Sequence, residues 1–265
     1  MTPIHGTTDP RFQAVRDAFA ANFRDHGELG AALCVYLRGR RVVDLWGGIA
    51  DLTTGAPWAE DTLQYVFSTT KGFTATCAHL LVQRGELDLD AYIGLPPAHQ
   101  HRVGRLIEPP AASPADFSAL RRASAVTTPR IDPNDPRVHA AEIPSSNGIT
   151  TARALARFYN ALIDPAEGYP LLTPTTLTTA TTAQSDGLDQ TLGVPTRFGL
   201  GYALPSTTFA LFGADSIGHG GRGGSLGCAH PPTRTTVGYV MNRMHTGLTT
   251  DRRFTNLATA IATSL

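Results

Sequence analysis

Nine prolines fall between Leu95 and Ser146: Pro96, Pro97, Pro109, Pro110, Pro114, Pro129, Pro133, Pro136 and Pro144. Proline fixes φ and removes a backbone donor, so this stretch admits only short helical pieces. A connection of that length with no structure of its own is uncommon in a compact domain. The continuous regular structure must therefore come from the two flanks. On the N-terminal side, Phe12, Val15, Phe19 and Phe23 recur at spacings of three and four after Asp9-Pro10, which predicts a helix over about 10–25. The apolar runs Ala32 to Leu37 and Arg41 to Trp46 flank Arg38-Gly39-Arg40 and read as a β-hairpin. A second helix is expected over 68–84, with Phe73, Cys77, Leu80 and Leu81 on its apolar face and Gly85 as its stop.

On the C-terminal side the pattern predicts a helix over about 151–163 and a short one opening at Thr173-Pro174. Strand-like runs follow near 198–204, 208–212 and 225–229, then a clearer one from Thr236 to Met241, and a last helix over about 251–264. Strands at both ends imply an α+β fold: one antiparallel sheet flanked by N- and C-terminal helices, with a reduced helical region between. The corresponding units are 1–90 (helix, hairpin and second helix), 91–185 (reduced helical and loop region) and 186–265 (strands and helix completing the sheet).

The 22 basic and 22 acidic residues cancel, which argues against nucleic acid or an anionic membrane surface as partner. No apolar run approaches the roughly 20 residues of a membrane span. The first ten residues are polar and lack the apolar core of a signal peptide, so a cytoplasmic protein is expected. Cys34, Cys77 and Cys228 form no CxxC pair and read as reduced, small apolar residues.

Ser68-Thr69-Thr70-Lys71 is an S-x-x-K motif. A serine hydroxyl is a weak nucleophile that needs a base, and residues i and i+3 share a helix face. Lys71 can therefore reach Ser68 Oγ, and the positive N-terminal end of the helix helps keep the amine neutral. The Ser68 N–H is a candidate oxyanion donor. Taken alone, the motif more often marks an N-cap serine followed by a solvated lysine. It lies, however, between apolar Tyr65-Val66-Phe67 and the apolar face of a helix, where an idle lysine is costly. The second feature is Gly218-His219-Gly220-Gly221-Arg222-Gly223-Gly224-Ser225, whose glycines let a substrate approach backbone N–H groups. By composition it reads equally as a flexible loop, and it lacks the GxxxxGK[ST] pattern of a phosphate loop. His79 reads as packed, Trp46 and Trp58 as core or cleft wall, and His99 and His101 as surface residues without the set a metal requires. No metal or cofactor is expected.

Further blocks accompany these motifs: Val42-Val43-Asp44-Leu45-Trp46-Gly47-Gly48, Gly85-Glu86-Leu87-Asp88-Leu89-Asp90, Asn147-Gly148, Arg197-Phe198-Gly199-Leu200-Gly201-Tyr202 and Tyr239-Val240-Met241-Asn242-Arg243-Met244. Together with Phe67 to Phe73 and Gly218 to Gly221 they make the chain resemble the β-lactamase-related serine hydrolases, closest to their family VIII carboxylesterase branch. The resemblance implies a β-lactamase/transpeptidase-like fold and Ser68 as nucleophile with Lys71 as base, in keeping with the S-x-x-K of that group. It places His219-Gly220-Gly221 at the K-T-G or H-x-G strand, and a second oxyanion donor near Arg222. It also shows a departure. The family's Y-x-N tyrosine is missing: Ala91 runs directly into Tyr92, as if an internal deletion had removed much of the helical domain. Tyr159-Asn160-Ala161 lies in the wrong block. Two readings follow. One is a serine hydrolase of small esters or amides. The other is a catalytically impaired relative that binds a ligand or partner, its opened cleft inviting self-association.

Overall fold

The computed structural model describes residues 2–87, 89, 133–164, 170–210, 212–244 and 251–265. The chain enters through strand β1 (Ile4–Thr8), whose polar residues carry no strand signal of their own. Pairing with a longer neighbour supplies the order. Asp9 Oδ1 accepts the Arg11 N–H at 3.1 Å and starts a 3₁₀ turn, Pro10–Phe12, that leads into helix α1 (Gln13–Asp25). The hairpin of β2 (Gly30–Leu37) and β3 (Arg40–Asp51) follows. Its connecting residues, Arg38 and Gly39, both have positive φ, as two-residue primed turns require. Strand β4 (Ala56–Pro57) folds back on β3, and β5 (Gln64–Tyr65) leads through a 3₁₀ turn, Phe67–Thr69, into helix α2 (Thr70–Gln83).

Within 133–164 lie the short helix α3 (Pro136–Ala140), strand β6 (Ile149–Thr150) and helix α4 (Ala152–Ile163), capped by Thr151. Strand β6 pairs with β5. Helix α5 (Pro174–Thr181) precedes a separate hairpin of β7 (Ser185–Leu188) and β8 (Pro195–Phe198). Strands β9 (Ile217–Gly220), β10 (Leu226–His230) and β11 (Thr235–Met241) and helix α6 (Arg252–Thr263) complete the described chain.

The main sheet is antiparallel in the order β1-β3-β2-β11-β10-β9, with β4 attached to β3. The first hairpin and the last meander thus form one sheet, joined where Val35 pairs with Val237. Side chains alternate across it. Leu33, Val35, Val237 and Tyr239 pack on one face with Phe19 of α1 and Phe254, Leu257 and Ile261 of α6. Cys34, Val240 and Ala229 pack on the other with Leu155, Ala156 and Tyr159 of α4. Each large side chain so buried contributes about 1.5–3 kcal/mol. The α+β fold class read from the flanking strands is the one observed.

Three expectations need correction. Of the run 198–204, only Phe198 lies in a strand, and Ala203 makes isolated bridges to Phe198 and Gly218. The described part of 208–212 forms no strand, while the glycine run, readable by composition as a loop, holds β9. Glycine is tolerated there because the neighbouring backbone comes too close for a side chain: a Cβ on Gly218 would lie 2.3 Å from Gly227 O. Cys77 is exposed on α2, unlike the buried Cys34 and Cys228. Burial pushes the Cys34 and Cys228 thiols up, the latter to about 12. Trp58 is buried, and the Trp46 ring stacks on His5. Among the described residues no helix is long and apolar enough to cross a membrane.

Helix α4 crosses β11 at Gly238, where a Cβ would sit 2.2 Å from Ala152 O. Gly238→Ala is expected to lower stability by about 1–3 kcal/mol, in the range of overpacked cores. Urea unfolding with an unchanged slope is the measurement.

Candidate active site

Ser68 stands in the 3₁₀ turn between β5 and α2, directly after a residue in an unusual conformation. Phe67 has φ +46°, a left-handed value for an aromatic residue. Such strain costs about 1–3 kcal/mol and persists only where the surroundings enforce it. Here Thr70 Oγ1 donates to Phe67 O at 2.5 Å and accepts the Gly148 N–H at 2.8 Å. The Val66 N–H donates to Gly148 O at 2.9 Å, and the Tyr65 ring packs edge-on against Phe67.

The turn delivers Ser68 to its partner. Lys71 Nζ lies 2.9 Å from Ser68 Oγ and donates to Ser145 O at 2.8 Å. Burial pushes the Lys71 pKa down, toward the neutral amine. A neutral amine keeps an N–H for Ser145 O and offers its lone pair to the serine proton. The Ser145 carbonyl is held in place by Asn147. Its Oδ1 accepts the Ile143 N–H at 3.0 Å, and its Nδ2 donates to Val138 O at 3.1 Å and to Ala141 O. Beside it, Thr74 Oγ1 donates to Pro144 O at 2.6 Å.

The opposite wall is β9 and the turn that follows. Ser225 Oγ donates to Val66 O at 2.9 Å and lies 3.1 Å from Thr69 Oγ1. Gly221 is wedged into this junction, since a Cβ there would meet Val66 O at 2.1 Å and Ser225 Oγ at 2.3 Å. The Gly221 N–H donates to Ser225 O at 2.7 Å, so it is not available to a substrate. Gly218 uses its N–H and C=O on the other edge, toward Ala203. Alternation along β9 then directs the Gly220 N–H to that outer edge, and Arg222 follows in the turn closed by the Gly224 N–H on Gly221 O. Gly221 therefore acts here through its packing against the nucleophile turn.

His219 is partly buried on β9. Its Nδ1–H donates to Gly220 O at 2.7 Å, which leaves Nε2 with the lone pair. Burial pushes its pKa down to about 4, opposed by the bond to Gly220 O and reinforced by the positive charge of Lys71. The imidazole is therefore neutral at neutral pH. A cavity of about 390 Å³ runs beside Lys71, lined by Thr74, Ala75, His79, Pro144 and Leu200 among others. His79 is packed as expected: Nε2–H donates to Leu200 O at 2.9 Å, and the ring stacks on Tyr202.

The hydrogen bond of Ser68 Oγ among the described residues is to Lys71. Tyr159 supplies no acid to it. Its hydroxyl is buried beneath α2, against Gly72, with no hydrogen-bond partner among the described residues, and burial pushes its pKa far up. Tyr92, His99 and His101 lie outside the described residues. Among the described residues no group of three His, Cys, Asp or Glu side chains is placed to hold a metal ion. Sequence reasoning missed Thr70, Ser145 and Ser225 as supports of the site. They act through tertiary hydrogen bonds, and only Asn147-Gly148 left a trace, as part of a motif block.

The sequence matches the Beta-lactamase family over residues 15–112 and 91–260. The chain belongs to that family. A relative is the Esterase/beta-lactamase LipL of Mycobacterium tuberculosis (strain ATCC 25618 / H37Rv), 28% identical over 360 aligned residues that cover 91% of this chain and 83% of LipL. Similar solved structures include a family VIII carboxylesterase, with TM-score 0.83 and 26% identity over 99% of this chain and 100% of that one. A penicillin-binding protein homologue from Caulobacter crescentus has TM-score 0.81 and 26% identity over 100% of both chains. The 360 positions aligned to LipL exceed the 265 residues present, so at least 95 of them have no counterpart in this β-lactamase-family chain. The two stretches of the family match overlap over 91–112, at the Ala91-Tyr92 junction.

Two outcomes are expected of this geometry. Gly221→Ala keeps its N–H but puts a Cβ 2.1 Å from Val66 O, so it should part the β9 turn from the nucleophile turn and lower kcat toward p-nitrophenyl acetate by about 10²-fold or more, the scale of a displaced oxyanion site, while far-UV circular dichroism stays native. The pH profile of kcat/KM should rise with pH as Lys71 loses its proton, with a midpoint below the ordinary lysine value of about 10.4. It should show no inflection near 6.5, because His219 stays neutral above about 4.

Proposed function

We propose that the protein is a serine hydrolase that cleaves small carboxylic esters through an acyl-enzyme on Ser68. The observation that carries this reading is the 2.9 Å approach of Lys71 Nζ to Ser68 Oγ, with the amine anchored on Ser145 O and partly desolvated. In acylation, Ser68 Oγ attacks the ester carbonyl carbon and its proton passes to the Lys71 lone pair. The oxyanion sits between the N–H groups of Ser68 and Arg222. On collapse, the C–O bond to the alcohol breaks and the alkoxide takes the proton back from Lys71. Water then repeats the sequence on the acyl-enzyme, with Lys71 as base, and releases the carboxylic acid. The mostly apolar cavity beside Lys71 suits a small acyl group.

His219, neutral where the resemblance allows a lysine, offers no cation to the carboxylate of a β-lactam, which favours esters. The likeness to a family VIII carboxylesterase supports the same choice.

The second reading, a ligand-binding relative without turnover, draws on the at least 95 positions of LipL that have no counterpart here. Labelling with a fluorophosphonate probe separates the two. Wild type should label and Ser68→Ala should not, whereas equal labelling of both removes the hydrolase reading. Lys71→Met should slow labelling by about 10²–10⁴-fold, the usual contribution of a general base.

A further inference from the structure

A buried ionic cluster that the proposed chemistry does not use lies behind the turn between β9 and β10. Arg253, in the first turn of α6, is 4% exposed. Its Nη1 donates to Glu28 Oε1 at 2.7 Å and its Nε to Asp251 Oδ2 at 2.9 Å. Tyr239 Oη donates to the other oxygen of Glu28. Asn22 Nδ2, from α1, donates to Arg253 O at 3.0 Å. All five side chains are buried. Buried ions are costly, and apolar residues of similar volume often serve stability as well or better. An apolar cluster, however, supplies no directed polar contact. This one makes one with the turn and packs closely against it. Arg253 Nη2 points to Gly223 O at 3.4 Å, and Gly224 lies so close to the carboxylate that a Cβ there would be 2.6 Å from Asp251 Oδ2. Gly223 and Gly224 follow Arg222, and φ values of +93° and +124° leave the turn little stiffness of its own.

We propose that Arg253, held by Glu28 and Asp251, is a positioning residue that sets the β9–β10 turn so that the Arg222 N–H faces the oxyanion. The proposal rests on the hydrolase reading above for its catalytic consequence, but not for the structural one. The turn is gripped from two sides. Ser225 and Gly221 tie it to the nucleophile turn, and Arg253 and Asp251 tie it to α6. The α1 and α6 ends of the chain thereby reach the site without touching substrate.

The test compares wild type with Arg253→Met, which keeps the volume and loses the charge, and with Arg253→Lys, which keeps the charge and loses the planar fork. Hydrogen exchange of the peptide 219–226 is followed beside that of 64–72, together with kcat and KM for p-nitrophenyl acetate. Both variants should raise exchange at 221–225 at least about tenfold, leave 64–72 unchanged, and lower kcat about tenfold or more with KM within about twofold. Arg253→Lys is the milder change and keeps the test open if Arg253→Met does not fold. Unchanged exchange at 221–225 overturns the proposal, as does an equal rise in both peptides, which marks general loosening. A selective rise in exchange with no Ser68-dependent activity in wild type overturns the hydrolase reading and leaves the clamp standing.

Discussion

The site depends on one hydrogen bond between distant parts of the chain, from Ser225 Oγ to Val66 O. It fastens the turn after β9 to the turn before α2. Everything that converges on Ser68 hangs from that junction: the strained Phe67 backbone on one side and the outward-facing edge of β9 on the other. Gly221 makes the contact possible, because any side chain there would strike Val66 O. Since the bond is buried, breaking it would leave unsatisfied polar groups in a low-dielectric place, where they are expensive.

The same desolvation sets the electrostatics. Lys71 and His219 both have pKa values pushed down by burial, and a positive charge on Lys71 would push that of His219 further down. A neutral amine beside a serine hydroxyl is the state that nucleophilic chemistry needs. Further back, Arg253 is paired with Glu28 and Asp251, and burial pushes the Glu28 pKa up against that pairing. The molecule thus separates a site that holds its groups neutral from a buried cluster that holds its ions in place.

The segment 143–150 carries more of the site than its sequence suggests. Asn147 folds the loop, Ser145 O receives Lys71, and Gly148 and β6 brace the nucleophile turn. It lies C-terminal to the 91–112 overlap of the family match. Whatever the at least 95 absent positions contribute in LipL, Lys71 here takes its second anchor from a backbone carbonyl in this segment.

Local pattern decided the elements that regularity can write. The helical spacing of Phe12, Val15 and Phe19, the apolar runs around Arg38-Gly39, and the i, i+3 placement of Ser68 and Lys71 were all legible, because each depends on neighbours a few residues away. Motif blocks extended that legibility to the fold class and the family. Other features could be decided only by the tertiary structure. The polar strand β1 exists because β3 offers it an edge. The strand β9 emerges from glycines because β10 approaches too closely for side chains. Gly221 N–H is committed to Ser225 O, which leaves the outer edge of β9 to Gly220. The supports of the Ser68 turn from Thr70, Ser145 and Ser225 bond across 78, 74 and 159 residues. Such contacts leave no periodicity in the chain, because they are set by which backbone atoms packing brings together.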